Sequence, residues 1–202
     1  MIAVAGIGTT IAQELDKMIR AVYPDDVMIR LGDAEDRLDS VNRYLMAAGV
    51  LHNKALTEQS KDEMNESLWV NAMGPIGSCE KILAANPQAR ICIIGSKAGE
   101  AGSFDQTYAA AKAAVHNYVR NARITGGQQI VCIAPTIIED SGMTSRRNED
   151  GVIALDKRRE EHPKKRFLKA REVAKLVHFL LYVDEGYITN TVIEMKGGPG
   201  WW

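Results

Sequence analysis

The sequence predicts an α/β fold: a doubly wound parallel sheet of about six strands with helices on both faces. Two observations carry this. Apolar runs of four to six residues alternate with longer stretches of helical periodicity, which is the pattern of βαβ units. The first run, Ile2 to Ala5, meets Gly6 just before a helical stretch, as a buried strand feeding a helix through a glycine turn does.

The elements follow in order. Thr9 to Val22 reads as a helix, with Ile11, Leu15, Met18, Ile19 and Val22 on one face and Gln13, Glu14, Asp16 and Lys17 largely on the other. Tyr23-Pro24-Asp25-Asp26 breaks it. Val27 to Leu31 is expected as a second strand, Ala34 to Ala48 as a second helix and Val50 to His52 as a brief third strand. Glu58 to Ala85 reads as one long helix, entered at Thr57 or Ser60 and bent by Gly74-Pro75. Arg90 to Gly95 is the next strand, Gln106 to Arg123 an alanine-rich helix, and Gln129 to Ala134 a strand that Pro135 ends. A polar, charged region runs to about residue 166. Lys169 to Tyr182 is the last helix and Thr191 to Met195 the last strand, closed by Gly197-Gly198-Pro199-Gly200. With no internal repeat or long linker, 1–202 is expected to form a single domain.

Composition narrows the function classes. A chain of 202 residues, 46% apolar, buries roughly 70% of its unfolded surface and needs no disulfide or structural metal. Cys79, Cys92 and Cys132 are odd in number and far apart, which reads as buried thiols of a reducing compartment and points to the cytoplasm. With 25 Lys+Arg against 26 Asp+Glu, no basic excess marks a nucleic-acid partner. No run of about 18 apolar residues marks a membrane span, and the start MIAVAGIG lacks the basic region of a secretory signal. His52, His116, His162 and His178 show no metal-ligand spacing and are expected in structural roles, so no metal site is expected.

In such a sheet ligands bind beyond the carboxyl ends of the strands, at the switch point. Gly6, Ile7 and Gly8 open the first helix, where backbone N–H groups approach a pyrophosphate; an ordinary strand-to-helix turn explains the glycines equally well, and Ile11 replaces the third glycine of the usual fingerprint. Asp33, 27 residues beyond Gly6, suits the hydroxyls of an adenosine ribose or the cap of a following helix. Arg30 favours a 2′-phosphate, whereas Asp33, Glu35 and Asp36 repel one, so NAD against NADP stays open. Ser96 follows a strand, and Tyr108 and Lys112 lie at i,i+4 on the next helix, one turn apart on one face. A cation there lowers a phenol's pKa from about 10 and suits it to proton transfer. Such a pair alone is usually a solvated surface pair; its place after a strand, a serine and a glycine-rich loop gives it chemical weight.

These residues resemble the short-chain dehydrogenase/reductase family along nearly the whole chain, which implies a Rossmann-type NAD(P)-binding fold. Ser96 resembles the family's substrate-orienting serine, Tyr108 its acid/base, Lys112 the lysine that also binds the nicotinamide ribose, and Asn71, in Trp69-Val70-Asn71, the asparagine of its proton relay. Val50 to Ala55 resembles the strand ending in Asn-Asn-Ala-Gly, which implies cofactor contacts at Asn53 and Lys54. Cys132 to Thr136 resembles the strand leading to Pro-Gly, which implies nicotinamide contacts at Pro135 and Ile138. The tail, from Arg171-Glu-Val-Ala174 through Gly186 to Asn190 and Gly197-Gly198, is similar to the family's last helix and strand. The resemblance implies an NAD(P)(H) cofactor, a small carbonyl or alcohol substrate, and a homodimer or homotetramer built on the two central helices and the last strand, with Trp201 and Trp202 as a possible anchor. A dinucleotide-binding sensor with little turnover is the alternative, and an isomerase or dehydratase a third reading. The chain departs from the family in its short glycine loop and in having room for one βα unit where the family has two; the surviving strand is expected beside the first, with Arg30 to Asp33 facing the adenosine. Lys157 to Arg166, with six basic residues, is a solvated loop or a substrate lid, expected to be mobile.

Overall fold

The computed structural model describes residues 1–32, 38–145 and 149–199. Asp33, Glu35 and Asp36 and the pair Trp201 and Trp202 lie outside the described residues. The elements are β1 (Ile2–Ala5), α1 (Thr10–Val22), β2 (Met28–Arg30), β3 (Arg43–Met46), a 3-10 turn (Leu56–Glu58), α2 (Lys61–Leu68), a π-turn (Trp69–Met73), α3 (Gly74–Ala85), β4 (Arg90–Ile94), α4 (Ala98–Ala101), α5 (Gln106–Asn121), β5 (Gln129–Pro135), α6 (Gly142–Ser145), α7 (Glu149–Glu161), α8 (Ala170–His178), a second π-turn (Phe179–Val183) and β6 (Thr191–Met195).

The six strands form one parallel sheet in the order β2-β1-β3-β4-β5-β6. Winding goes outward from β1 to β2 and then reverses to run from β3 to β6, so the switch point lies between the ends of β1 and β3. As expected, the strand surviving on the short side pairs with β1, Val4 opposite Arg30. Alternate residues feed two cores: Ile2, Val4, Leu45, Val131 and Ile133 pack under α1 and α8, while Ala3, Tyr44, Ile91, Ile93 and Ile130 pack under α3 and α5. All seven residues of β5 are buried, which is why its sequence is an apolar run without alternation.

Three expectations are corrected. Residues 43–46 of the expected second helix form β3, and 50–52 are irregular. Leu45, Met46 and Ala47 are good helix formers, yet Tyr44 and Leu45 are fully buried on opposite faces of the sheet, and that burial overrides propensity. The long helix starts at Lys61 and runs without a break to Ala85, but it widens into the π-turn at Trp69–Met73, ahead of Gly74-Pro75. Pro75 has no N–H for the carbonyl of Asn71 four residues back, and the Gly74 N–H reaches instead to the carbonyl of Trp69. A Cβ on Gly74 would lie 3.1 Å from that carbonyl, so the close turn suits glycine.

The third correction concerns the charged region. Residues 157–161 close α7 instead of lying in a loop, and the chain beyond it is packed down. His162, 4% exposed, meets the Lys196 carbonyl through Nε2 at 3.2 Å, and a Cβ on Gly197 would come within 2.5 Å of its ring.

Candidate active site

The glycine turn is built by sterics. Gly6 has φ +82°, and a Cβ there would lie 2.6 Å from the amide nitrogen of Ala48, so only glycine lets the end of β1 cross so close to the end of β3. Thr9 then caps α1, accepting from the Ala12 amide at 3.3 Å. Beyond these strand ends lies a cavity of about 500 Å³ lined by Gly6, Ile7, Gly8, Arg30 and Gly32. The structure thus brings four of the expected cofactor residues, Gly6, Ile7, Gly8 and Arg30, to one hollow at the positive end of α1. Gly8, with nothing within 4 Å of a would-be Cβ, leaves that end open.

Asn53 and Lys54 are not at a strand tip. The strand they were expected to end is β3, and the residues that close it against the glycine turn are Ala47, Ala48 and Gly49. Asn53 holds a left-handed turn at φ 55°, and Lys54 forms an ion pair with Glu63 at 2.5 Å. Their loop is anchored to the start of α5 instead. Asp105, 1% exposed, accepts from the His52 amide (3.1 Å), the Gln59 amide group (2.9 Å) and the Tyr108 amide (3.0 Å), capping the helix.

Ser96, Tyr108 and Lys112 come together at the end of β4. Burial pushes the Tyr108 phenol above its ordinary value, the neighbouring Ser96 hydroxyl pulls it back, and Asp105 pushes it further up. Lys112 is 4% exposed and donates to the Ile94 carbonyl at 2.9 Å, with its ammonium 5.6 Å from the centre of the Tyr108 ring. Burial brings its pKa down to about 8. The phenol is thus raised where a lowering was expected, because desolvation by burial sets the direction.

Asn71, wholly buried in the π-turn, accepts from the Val50 amide (3.2 Å) and donates to the carbonyls of Val50 (2.9 Å) and Ser67 (2.9 Å). It pins the loop after β3 beside the site. Pro135 ends β5 and its carbonyl accepts from the Lys97 amide at 2.9 Å; Ile138 bridges to Leu168 and packs on the α1–α8 core. Sequence reasoning missed Ala47 to Gly49, Asp105 and His116; the last was legible only as a third polar residue on the face of Tyr108 and Lys112. Among the described residues no group of three or more His, Cys, Asp or Glu could hold a metal ion, and no helix is long and apolar enough to cross a membrane.

A family model described as enoyl-(acyl carrier protein) reductase matches residues 24–199. The chain belongs to the short-chain dehydrogenase/reductase family. Members are oxidoreductases of CH–OH and C=O groups that use NAD(P)(H). This member is 29% identical over 182 residues to a 3-oxoacyl-(acyl-carrier-protein) reductase of Buchnera aphidicola, covering 87% of this chain and 73% of that protein. It is 32% identical over 158 residues to the enzyme of the same name from Pseudomonas aeruginosa, covering 75% of this chain and 62% of that one. The fold is that of a short-chain dehydrogenase/reductase from Brucella melitensis, with a TM-score of 0.82 at 20% identity, covering 98% of this chain and 95% of that one.

Proposed function

We propose that this family member catalyses reversible hydride transfer between NAD(P)(H) and a small carbonyl compound or secondary alcohol. The observation that carries the reading is the convergence of Ser96, Tyr108 and buried Lys112 at the end of β4, beside the switch point. The residues fit the dinucleotide: the Gly6 cradle, the open end of α1 and Arg30 would hold its adenosine and phosphates, and Pro135 and Ile138 would flank its nicotinamide. When bound, that group supplies the hydride. Tyr108 gives its phenolic proton to the carbonyl oxygen as the new C–H bond forms, and Ser96 holds the same oxygen by a hydrogen bond. Lys112 turns from Ile94 to the ribose. The carbonyl of Asn71, which Pro75 cannot serve, takes a water that returns a proton toward Lys112 and Tyr108.

Fluorescence titration with NADH and NADPH, followed by turnover on acetoacetyl-CoA, ethyl acetoacetate and an enoyl thioester, tests this; the relatives' names suggest the substrates. Oxidation of either cofactor that is lost in Tyr108→Phe supports it, and turnover undiminished in that variant overturns it. A sensor with little turnover is the second reading, favoured by the Lys112 ammonium being engaged with Ile94. Binding without turnover across the panel would select it. Free, buried thiols support a reducing compartment such as the cytoplasm, and the exposed Trp69 and Met73 beside α5 support a homodimer or homotetramer.

A further inference from the structure

His116 lies four residues beyond Lys112 and eight beyond Tyr108 on α5, so the three share one face. It is 1% exposed, and the turn that carries Ser96 is folded around it. A Cβ on Gly95 would come within 2.6 Å of His116 Nε2, and one on Gly99 within 2.9 Å of Cε1. Gly95 is thus shaped to the imidazole, while Gly99 is held first against the α5 backbone at Lys112 (2.8 Å) and Ala113 (2.9 Å), with the imidazole beside them. Cys132 Sγ closes the other side of Gly95, 2.5 Å from the same Cβ position. Between the glycines, the Ser96 amide donates to Nε2 at 3.4 Å, a long bond whose direction the slot maintains.

The far side of the ring explains why Nε2 can accept. Nδ1 is buried without a hydrogen-bond partner and faces the Glu100 carboxylate at 4.0 Å, a charge contact that favours a proton on Nδ1. Glu100 is itself held by Lys97 (2.7 Å) and Arg120 (3.0 Å). The groups facing the imidazole are Glu100 from α4, Lys112 and Arg120 from α5, Lys97 from the turn and the Cys132 thiol from β5. Burial, with Arg120, Lys112 and Lys97 acting in the same sense against Glu100, brings its pKa down to about 4, so it is neutral at pH 7.

We propose that His116 is the positioning residue for Ser96: its neutral ring, with the proton on Nδ1 and Nε2 accepting from the Ser96 amide, fixes the turn so that the serine hydroxyl is aimed beside Tyr108. The catalytic consequence rests on the reading above; the placement of Ser96 does not.

Two measurements separate them. In the labelled protein at pH 7, ring NMR should show Nδ1–H with Nε2 unprotonated; the opposite tautomer overturns the proposal. His116→Leu removes the acceptor, and His116→Gln returns an oxygen within reach of the amide. In the Leu variant the Ser96 amide should exchange about tenfold faster while that of Ile93 in β4 is unmoved, and in the Gln variant it should stay within about threefold of wild type. With ethyl acetoacetate and saturating NADPH, the Leu variant should lose about tenfold in kcat while KM for NADPH stays within about twofold, and Gln should restore kcat. Unchanged Ser96 exchange in the Leu variant, or a fall in kcat without faster exchange, overturns the role. If the Leu variant does not fold, the tautomer and the Gln variant still decide. If wild type turns over no carbonyl, the functional reading fails while the tautomer and exchange still test His116.

Discussion

Lys112 donates its ammonium proton to the carbonyl of Ile94 at 2.9 Å. This bond ties the middle of α5 to the end of β4 and keeps a charge in a place that water barely reaches. Its consequences can be measured at Tyr108, one turn away. Tyr108→Phe should lower turnover by about 10²–10⁴-fold with cofactor affinity nearly unchanged, measured by steady-state kinetics and NADPH fluorescence. Lys112→Met should lower both.

The same lysine carries a pH signature. Burial lowers its folded pKa to about 8 from an ordinary 10.5, so between those values the unfolded chain binds more protons and stability rises with pH. Urea midpoints of wild type should rise relative to Lys112→Met from pH 8 to about 10.5. Parallel curves would contradict this.

His116 acts in an acid window by the same sign. Its folded pKa of about 4 lies below the ordinary 6.5, so its contribution to stability is lost as pH falls from 6.5 toward 4. Glu63, Glu100 and Glu172, held down to about 2 by Lys54, Lys97 and Arg166 respectively, act below their ordinary 4.5. His178, also lowered by burial, is common to both proteins and cancels. Thermal scans should show a shallower loss for His116→Gln than for wild type from pH 6.5 to about 4.5.

Two glycines of one turn should respond differently. Gly6→Ala meets both a positive φ and the backbone of Ala48, and should cost about 2 kcal/mol or more in urea unfolding. Gly8→Ala has open space and should leave the midpoint nearly unchanged while weakening NADPH binding. Equal losses of stability would count against the steric account of Gly6.

Thiol labelling offers a check on the core. Cys79, Cys92 and Cys132 are fully buried, and burial pushes all three thiols up, Cys132 to about 12. Labelling with an aromatic disulfide at pH 8 should proceed at the rate of unfolding. Fast labelling of the native protein would show that the sheet opens locally.

Assembly is open to mass measurement. Trp69 is 65% and Met73 57% exposed, on a turn that packs beside α5. Light scattering should show a dimer or tetramer that Trp69→Asp, Met73→Asp converts to a smaller species. A monomeric wild type would remove the proposal.

What could be read in the chain was whatever depends on local order. The apolar runs at Ile2, Arg90, Gln129 and Thr191, the glycine after β1, and the Tyr108–Lys112 spacing are each properties of a few neighbouring residues, and each lies where expected. β3 carries no strand signal in the sequence because Tyr44, Leu45 and Met46 are all buried, which erases the alternation that marks a strand. With β3 ending at Met46, the residues that meet the glycine turn are Ala47 and Ala48, and Asn53 and Lys54 fall in the loop beyond. Residues 157–161 carry no helical signal in the sequence because a polar helix without a clear apolar stripe has no periodic pattern.

By itself the sequence determined the class of fold, the order of most elements and the residue types available for proton transfer, since these follow from short-range pattern and composition. Only the tertiary structure decided what those residues touch. It placed Gly6 against Ala48, turned Lys112 onto Ile94, spent the Asn71 amide on Val50 and closed the Ser96 turn around His116. Such partners are far apart in the chain, and burial removes the water that would otherwise serve each polar group. Which protein atom then replaces that water is set by packing between elements, and no window of sequence contains it.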